Sequence, residues 1–283
     1  MMKRIVVLLL IITGLYIVFY QSFQFNGFAF GGSKDGRAEL SKTIDSIEIN
    51  VGSVRTTIIP EDRNDVEAVL TGKGSLTVKK TGNRLLVETK KEMFNWFSFS
   101  GKRQLKVYIP KDFNRNMNIQ IGSGSLDFSG KSMKLNKLSL DIGSGNVNLD
   151  QLEVDEFTHD GSSGNVEIDT LTTKTGTFDL SSGNLDIKHY TGSLNADVSS
   201  GKFSVQMDKL NDSIDIDLSS GNVNLDLPDN ADFTLNGNVS SGNISSEFPL
   251  TTTNSDKKSL KGTHGSGKHK IDISVSSGTV TIN

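Results

Sequence analysis

The sequence has no cysteine, which excludes disulfide bonds, thiolate catalysis, cysteine-type zinc sites and a lipoprotein anchor at a cysteine. It also has little net charge. A balance of −3 over 283 residues gives no electrostatic case for a nucleic-acid partner. Proline is scarce, at 4, whereas glycine is abundant, at 28. That ratio suits many tight strand turns better than a disordered linker. Amphipathic helical patterning is missing after the first residues, so an all-β body is expected.

One apolar run stands apart. Lys3 and Arg4 precede it, and no further charge occurs until Lys34. Residues 5–23 would make ~28 Å of helix, close to the thickness of a bilayer core. Basic residues before the run and none just after it place the N-terminus in the cytoplasm and everything beyond residue 32 outside. Tyr16, Phe19, Tyr20 and Phe23 suit the outer interface. The rival reading is a cleaved signal peptide, with small residues at Gly27, Ala29 and Gly31. The run is long and these sites lie well beyond it, which favours an uncleaved single-pass anchor over residues 1–32.

The rest of the chain repeats a phrase. A Ser-Gly break recurs at Gly124, Gly145, Gly164, Gly183, Gly201, Gly221, Gly242 and Gly278, with spacings of 21, 19, 19, 18, 20, 21 and 36. Three residues before the glycine stand Ile121, Ile142, Leu180, Val198, Leu218, Val239 and Val275, with Gly161 the exception. Two after it stand Leu126, Val147, Val166, Leu185, Phe203, Val223, Ile244 and Val280. This is period-two alternation on both sides of a corner. A coil of about twenty residues cannot bury its own apolar face, but stacked coils can. The expected fold is therefore a β-solenoid over 116–283, with glycine turning each corner through a positive φ. A β-sandwich is the alternative. The long last spacing holds residues 245–270, read as a loop leaving the array.

Two polar columns accompany the core. Directly after the glycine come Asn146, Asn165, Asn184, Asn222 and Asn243, with Lys202 among them. Stacked asparagines can bond one another along an array, a structural role. Four before the glycine come Asp141, Asp160, Asp179, Asp197 and Asp217 on consecutive coils. Such a column is either a solvated face that blocks edge pairing, a ladder for cations, or a strip that meets a basic partner. No Gly-Gly-x-Gly-x-Asp calcium pattern and no EF-hand loop occurs.

Residues 33–115 lack the period but alternate like strands in 45–60, 74–90 and 104–113, as expected of a β cap on a raw solenoid end. Within them "MFNWFSF" (93–99) gathers Phe94, Trp96 and Phe97. It reads as cap core or as a patch for a membrane surface, a glycan or a protein.

No active site assembles from the sequence. His159, His189, His264 and His269 occupy different columns or the inserted segment. "THGSGKHK" reads as a flexible loop, without P-loop spacing or context. The recurring serines serve corners, whereas a nucleophile needs one special site with a base beside it. No cofactor or metal is expected.

The phrases "GSGNVNL", "SSGNVEI", "SSGNLDI" and "SSGNVNL" and the closing "GSGKHKIDISVSSGTVTIN" resemble the bacterial candidate-adhesin β-solenoid family, and within it the LiaG-type membrane-anchored envelope proteins. The resemblance implies an extracytoplasmic, non-enzymatic interaction module of a Gram-positive type envelope, linked to envelope stress. It transfers no ligand and no catalytic residue. The expected partners are the membrane, other envelope proteins and cell-wall glycan. The alternative is a carbohydrate-binding or carbohydrate-processing solenoid.

Overall fold

The computed structural model describes residues 33–90, 103–131, 133–256 and 258–283. The expected anchor over 1–32 and the aromatic stretch with Phe94, Trp96 and Phe97 lie outside them. The described residues form strands and turns with no helix. Thus no helix among them is long and apolar enough to cross a membrane.

The alternation seen in the sequence becomes burial. Along Asn184–Val198 the inward residues Leu185, Ile187, Tyr190, Leu194, Ala196 and Val198 are all but inaccessible, while Asn184, Asn195 and Asp197 are exposed. Strands one repeat apart pair parallel and in register, for example Val147 with Val166 and Val166 with Leu185. Each apolar column is therefore continuous along a β-solenoid-like stack. At its centre Phe178 packs against Phe157, Phe203 and Tyr190, with ring centroids 5.6, 5.5 and 6.0 Å away. Such aromatic contacts add directional attraction to the area they bury.

The corners keep the ladder unbroken. The carbonyl of Gly145 accepts the Asn165 N–H at 2.9 Å, that of Gly164 accepts the Asn184 N–H at 3.0 Å, and that of Gly183 accepts the Lys202 N–H at 3.0 Å. The corner glycines do not adopt the positive φ expected of them. Their requirement is close stacking. A β-carbon on Gly164 would stand 2.7 Å from the Gly145 carbonyl oxygen, and one on Gly145 would stand 2.5 Å from that of Gly124. Gly183, Gly201, Gly221, Gly278, Gly242 and Gly124 face a stacked backbone oxygen in the same way. Glycine is needed because backbone meets backbone, not because the chain turns left-handed.

Order in the stack departs from order in the sequence at both ends. The C-terminal strands His269–Val275 and Thr279–Ile282 lie between Ile214–Leu218 with Asn222–Asp226 on one side and Phe233–Val239 with Asn243–Ser246 on the other. Similarly, Ser46–Val51 and Arg55–Glu61 lie between Arg84–Lys90 with Gln104–Pro110 and Asn116–Ile121 with Ser125–Ser129. Residues 245–270 are accordingly not a loop leaving the array. Thr251–Asp256 and Ser259–His264 form an antiparallel hairpin on the end strand Phe233–Val239, and the chain then returns into the row beside it. The physical reason is the raw edge of the end coil, which the hairpin covers. At the other end, antiparallel Ser33–Glu39, Asp65–Thr71 and Ser75–Thr81 do the same.

Candidate functional site

The polar columns are the chemically distinctive part of this surface, and their geometry separates them. Three of the asparagines after the corner bond one another: Asn165 donates from Nδ2 to Asn146 Oδ1 at 3.1 Å, and Asn184 to Asn165 at 2.7 Å. Their amides are occupied in holding coils together. A shorter ladder runs alongside, where Asn148 Nδ2 donates to Asp127 Oδ1 at 2.9 Å.

The aspartates before the corner behave differently. Asp141 pairs with Asp160, Asp160 with Asp179, Asp179 with Asp197, and Asp197 with Asp217, each directly opposite the next. All five are exposed. Their carboxylates stand about one strand spacing apart, ~4.8 Å. Like charges so placed repel. Partial burial and then the charges of Asp160 and Asp197 hold the Asp179 carboxyl above its ordinary range. Gln120 donates from Nε2 to Asp141 at 2.9 Å and closes one end, while Asp217 meets Ser274 at the other. Beside that end Asp215 pairs with Asp272, and burial and then Asp217 raise its carboxyl as well. By contrast, Glu153, Glu156 and Asp155 face Lys134, Lys137 and Lys174 at 2.8, 3.5 and 2.9 Å. None of the ion pairs among the described residues reaches the five stacked aspartates. No group of three or more potential metal ligands assembles among the described residues.

A second acidic feature was not picked out in the sequence. A groove of about 480 Å³ crosses the post-corner strands, with Asp127, Asp150, Glu167, Asp169 and Lys188 on its walls and Ile59 and Pro60 at one end. The signal was present as acids recurring three and five residues after the corner glycine, outside the columns singled out. Phe128 borders the groove but is buried in the core, so it offers no open ring for a sugar to stack on.

The histidines do not come together. His189 meets Asp208 at 2.9 Å on the surface. His264 Nδ1 contacts the Pro249 carbonyl at 3.0 Å, and its ring packs with Phe233 and Phe248 in the end cap. The segment around it is not a flexible loop. Asp232 accepts the Gly267 N–H at 2.6 Å, the Lys268 N–H at 3.0 Å and the Ser266 hydroxyl at 2.7 Å. These bonds, that of the Lys268 amide foremost, lower the Asp232 carboxyl below its ordinary range. The turn's amides already hold a carboxylate of the chain itself.

His159 is inside. It is buried, with both ring nitrogens lacking a hydrogen-bond partner. The Leu140 carbonyl lies toward the ring without closing a bond, and burial pushes the imidazole down to about 4. Its ring fills the space beside Gly161, where a β-carbon would stand 2.6 Å from Nε2. The single break in the apolar column before the corner is thus made good by its neighbour two residues back.

The profile of the Toastrack DUF4097 family matches residues 44–283. Among solved structures, the chain is similar to a candidate adhesin from Bacteroides fragilis NCTC 9343 at 14% identity and a TM-score of 0.48, covering 89% of this chain and 97% of that one. It is similar to a candidate lipid-binding protein from Parabacteroides distasonis ATCC 8503 at 17% identity and a TM-score of 0.48, covering 90% and 98%. A candidate cell adhesion protein from Clostridium sporogenes ATCC 15579 matches at 12% identity and a TM-score of 0.31, covering 89% and 99%. No curated protein matches the chain.

Proposed function

The chain belongs to the Toastrack DUF4097 family, and on that premise we propose that it is a membrane-anchored, extracytoplasmic interaction module of the bacterial cell envelope, of the LiaG type and without catalytic activity. The observation that carries this reading is the column of five in-register, exposed aspartates that no ion pair among the described residues reaches. A stack with continuous backbone bonding holds these carboxylates at fixed spacing. That preorganisation suits a basic protein partner, because little order remains to be gained on binding. The anchor supplies the location: Lys3 and Arg4 before an apolar run over 5–23 keep the N-terminus in the cytoplasm and place residues 33–283 outside. Reporting envelope stress is then a matter of which partner occupies the column.

The test is photo-crosslinking in cells from a probe at position 179, compared with one at Lys209 on the far side of the corner. A single basic envelope protein captured from position 179, and lost when Asp160 and Asp197 become Asn, supports the reading. Equal capture from both positions, or none, contradicts it. Anchoring is checked separately: the full chain should resist alkaline carbonate extraction from membranes.

A second reading, a carbohydrate-binding surface, is favoured by the groove with Asp127, Asp150, Glu167 and Asp169. Calorimetric titration with soluble cell-wall glycan fragments separates the two. Binding that disappears in Asp150→Asn/Asp169→Asn but persists in Asp160→Asn/Asp197→Asn would move the function to the groove.

A further inference from the structure

We infer that the end of the stack built from Ser33–Glu39 and the hairpin Ser75–Thr81 with Arg84–Lys90 is a docking surface for anionic lipid headgroups. Charge is not spread evenly along the molecule. Residues 33–115 carry 16 Lys and Arg against 11 Asp and Glu, a net +5, whereas residues 116–283 carry 12 against 22, a net −10. The stack is therefore an electric dipole, and the near-neutral whole hides it. The positive end is concentrated where strands stop. Lys73, Lys79 and Lys80 are exposed around the outermost hairpin, and Arg84 beside them pairs with Glu48 at 3.1 Å. Lys34 donates to the Gly74 carbonyl at 2.7 Å at its base. Lysines often guard an open strand edge, but this charge extends past the edge.

The occupant follows from where the chain enters. Ser33 opens the first strand at this end of the stack, directly after the apolar run and nine intervening residues. Nine residues reach at most ~32 Å. A tether through that run keeps the positive end within reach of a bilayer surface. A juxtamembrane lysine gains about fivefold in affinity for an anionic leaflet, an effect that fades within a Debye length. Docking would stand the stack on its basic end and turn the aspartate column away from the like-charged bilayer.

The inference rests on the anchored reading for its geometry, but it can be tested without the anchor. Residues 33–283 form a compact unit with its own core. That fragment should co-sediment with vesicles of 30% phosphatidylglycerol in phosphatidylcholine at low salt, and not with pure phosphatidylcholine. Lys73→Glu/Lys79→Glu/Lys80→Glu should weaken binding on the order of a hundredfold, with an unchanged melting curve. Lys188→Glu/Lys202→Glu/Lys209→Glu, on the acidic part, should leave binding within about twofold. Equal binding to both vesicle types, no binding to either, or equal loss in both triple variants overturns the inference. Salt-sensitive self-association without vesicle binding also overturns it, in favour of the acidic part of a second copy. Failure of carbonate resistance in the full chain would count against the anchor alone and leave the vesicle result standing.

Discussion

The middle of the stack and its two ends obey different rules. From residues 134 to 226 the order of coils in space is their order in the chain, and the columns repeat their chemistry with single exceptions such as Gly161 and Lys202. At the ends the chain passes over one row, builds antiparallel strands on the outermost coil, and fills the skipped row with another segment. The difference shows what a repeat leaves unsolved. Periodic sequence supplies neighbours for every coil except the last ones, whose open edges need separate provision. Intercalation bonds the C-terminal strands on both sides, so the final residues are held as firmly as an internal coil.

The largest effect should come from removing that device. Deleting residues 269–283 leaves Ile214–Leu218 with a parallel partner on one side only, Asn184–Val198, and Phe233–Val239 with none. Hydrogen exchange should then lose protection across residues 214–264 while residues 134–187 keep theirs. Uniform protection throughout would mean that the ends do not depend on the intercalated strands.

The next comparison is between two corners. Gly183→Ala drives a β-carbon into the Gly164 carbonyl oxygen, which is backbone and cannot swing aside. Destabilisation of about 3 kcal/mol is expected in urea unfolding. At Gly52, which stacks in the column of Gly122 and Gly143, two residues before the corner glycines, a β-carbon would meet nothing within 4 Å. Gly52→Ala should change stability by no more than about 0.5 kcal/mol. Equal costs would show that conformation rather than stacking fixes glycine at these corners.

A third effect belongs to the middle alone. His159 titrates at about 4 in the folded chain and near 6.5 when unfolded. Below pH 6.5 the unfolded chain takes up a proton that the folded one refuses. Stability is therefore complete above pH 6.5 and falls as the pH drops toward 4, by about 3 kcal/mol in all. The stacked carboxylates act in the opposite sense: Asp179 and Asp215 titrate high in the folded state, so protonation relieves them. His159→Leu should flatten the loss between pH 6.5 and 4. A loss of the same size in that variant would place its origin elsewhere.

The smallest effects compare the two polar columns. Asn165→Ala removes two amide bonds of the corner ladder and should cost about 1 kcal/mol. Asp179→Asn relieves repulsion between neighbours and should stabilise by about 0.2–1 kcal/mol. Chemical denaturation would read both, and opposite signs are the point of the pair.

Much of this could be read from the residues themselves. Alternation on either side of Gly145 or Gly221 predicts which side chains are buried, because a strand's two faces follow from backbone geometry alone. The column positions of residues 141–217 follow from the same period. Other features could not be read. The Gly161 exception was visible, but that the His159 ring would occupy its space depends on packing in three dimensions. The corner glycines suggested a left-handed turn, since the sequence carries no record of the carbonyl stacked above each one. The row filled by residues 269–282 was hidden for the same reason: spacing along the chain records the length of a detour, not its destination. The dipole was available from a count by segment, which a single net charge of −3 conceals.

The order of coils is tested most directly by cross-linking, and a chain without cysteine is well suited to it. In-register neighbours lie one strand spacing apart, ~4.8 Å, within the span of a disulfide, whereas second neighbours lie at twice that and out of reach. Asn222 and Thr279 are neighbours, and so are Thr279 and Asn243. Asn222→Cys with Thr279→Cys should therefore oxidise to a disulfide, as should Asn243→Cys with Thr279→Cys. Asn222→Cys with Asn243→Cys should stay reduced, and a disulfide formed there in the folded protein would contradict the intercalated order.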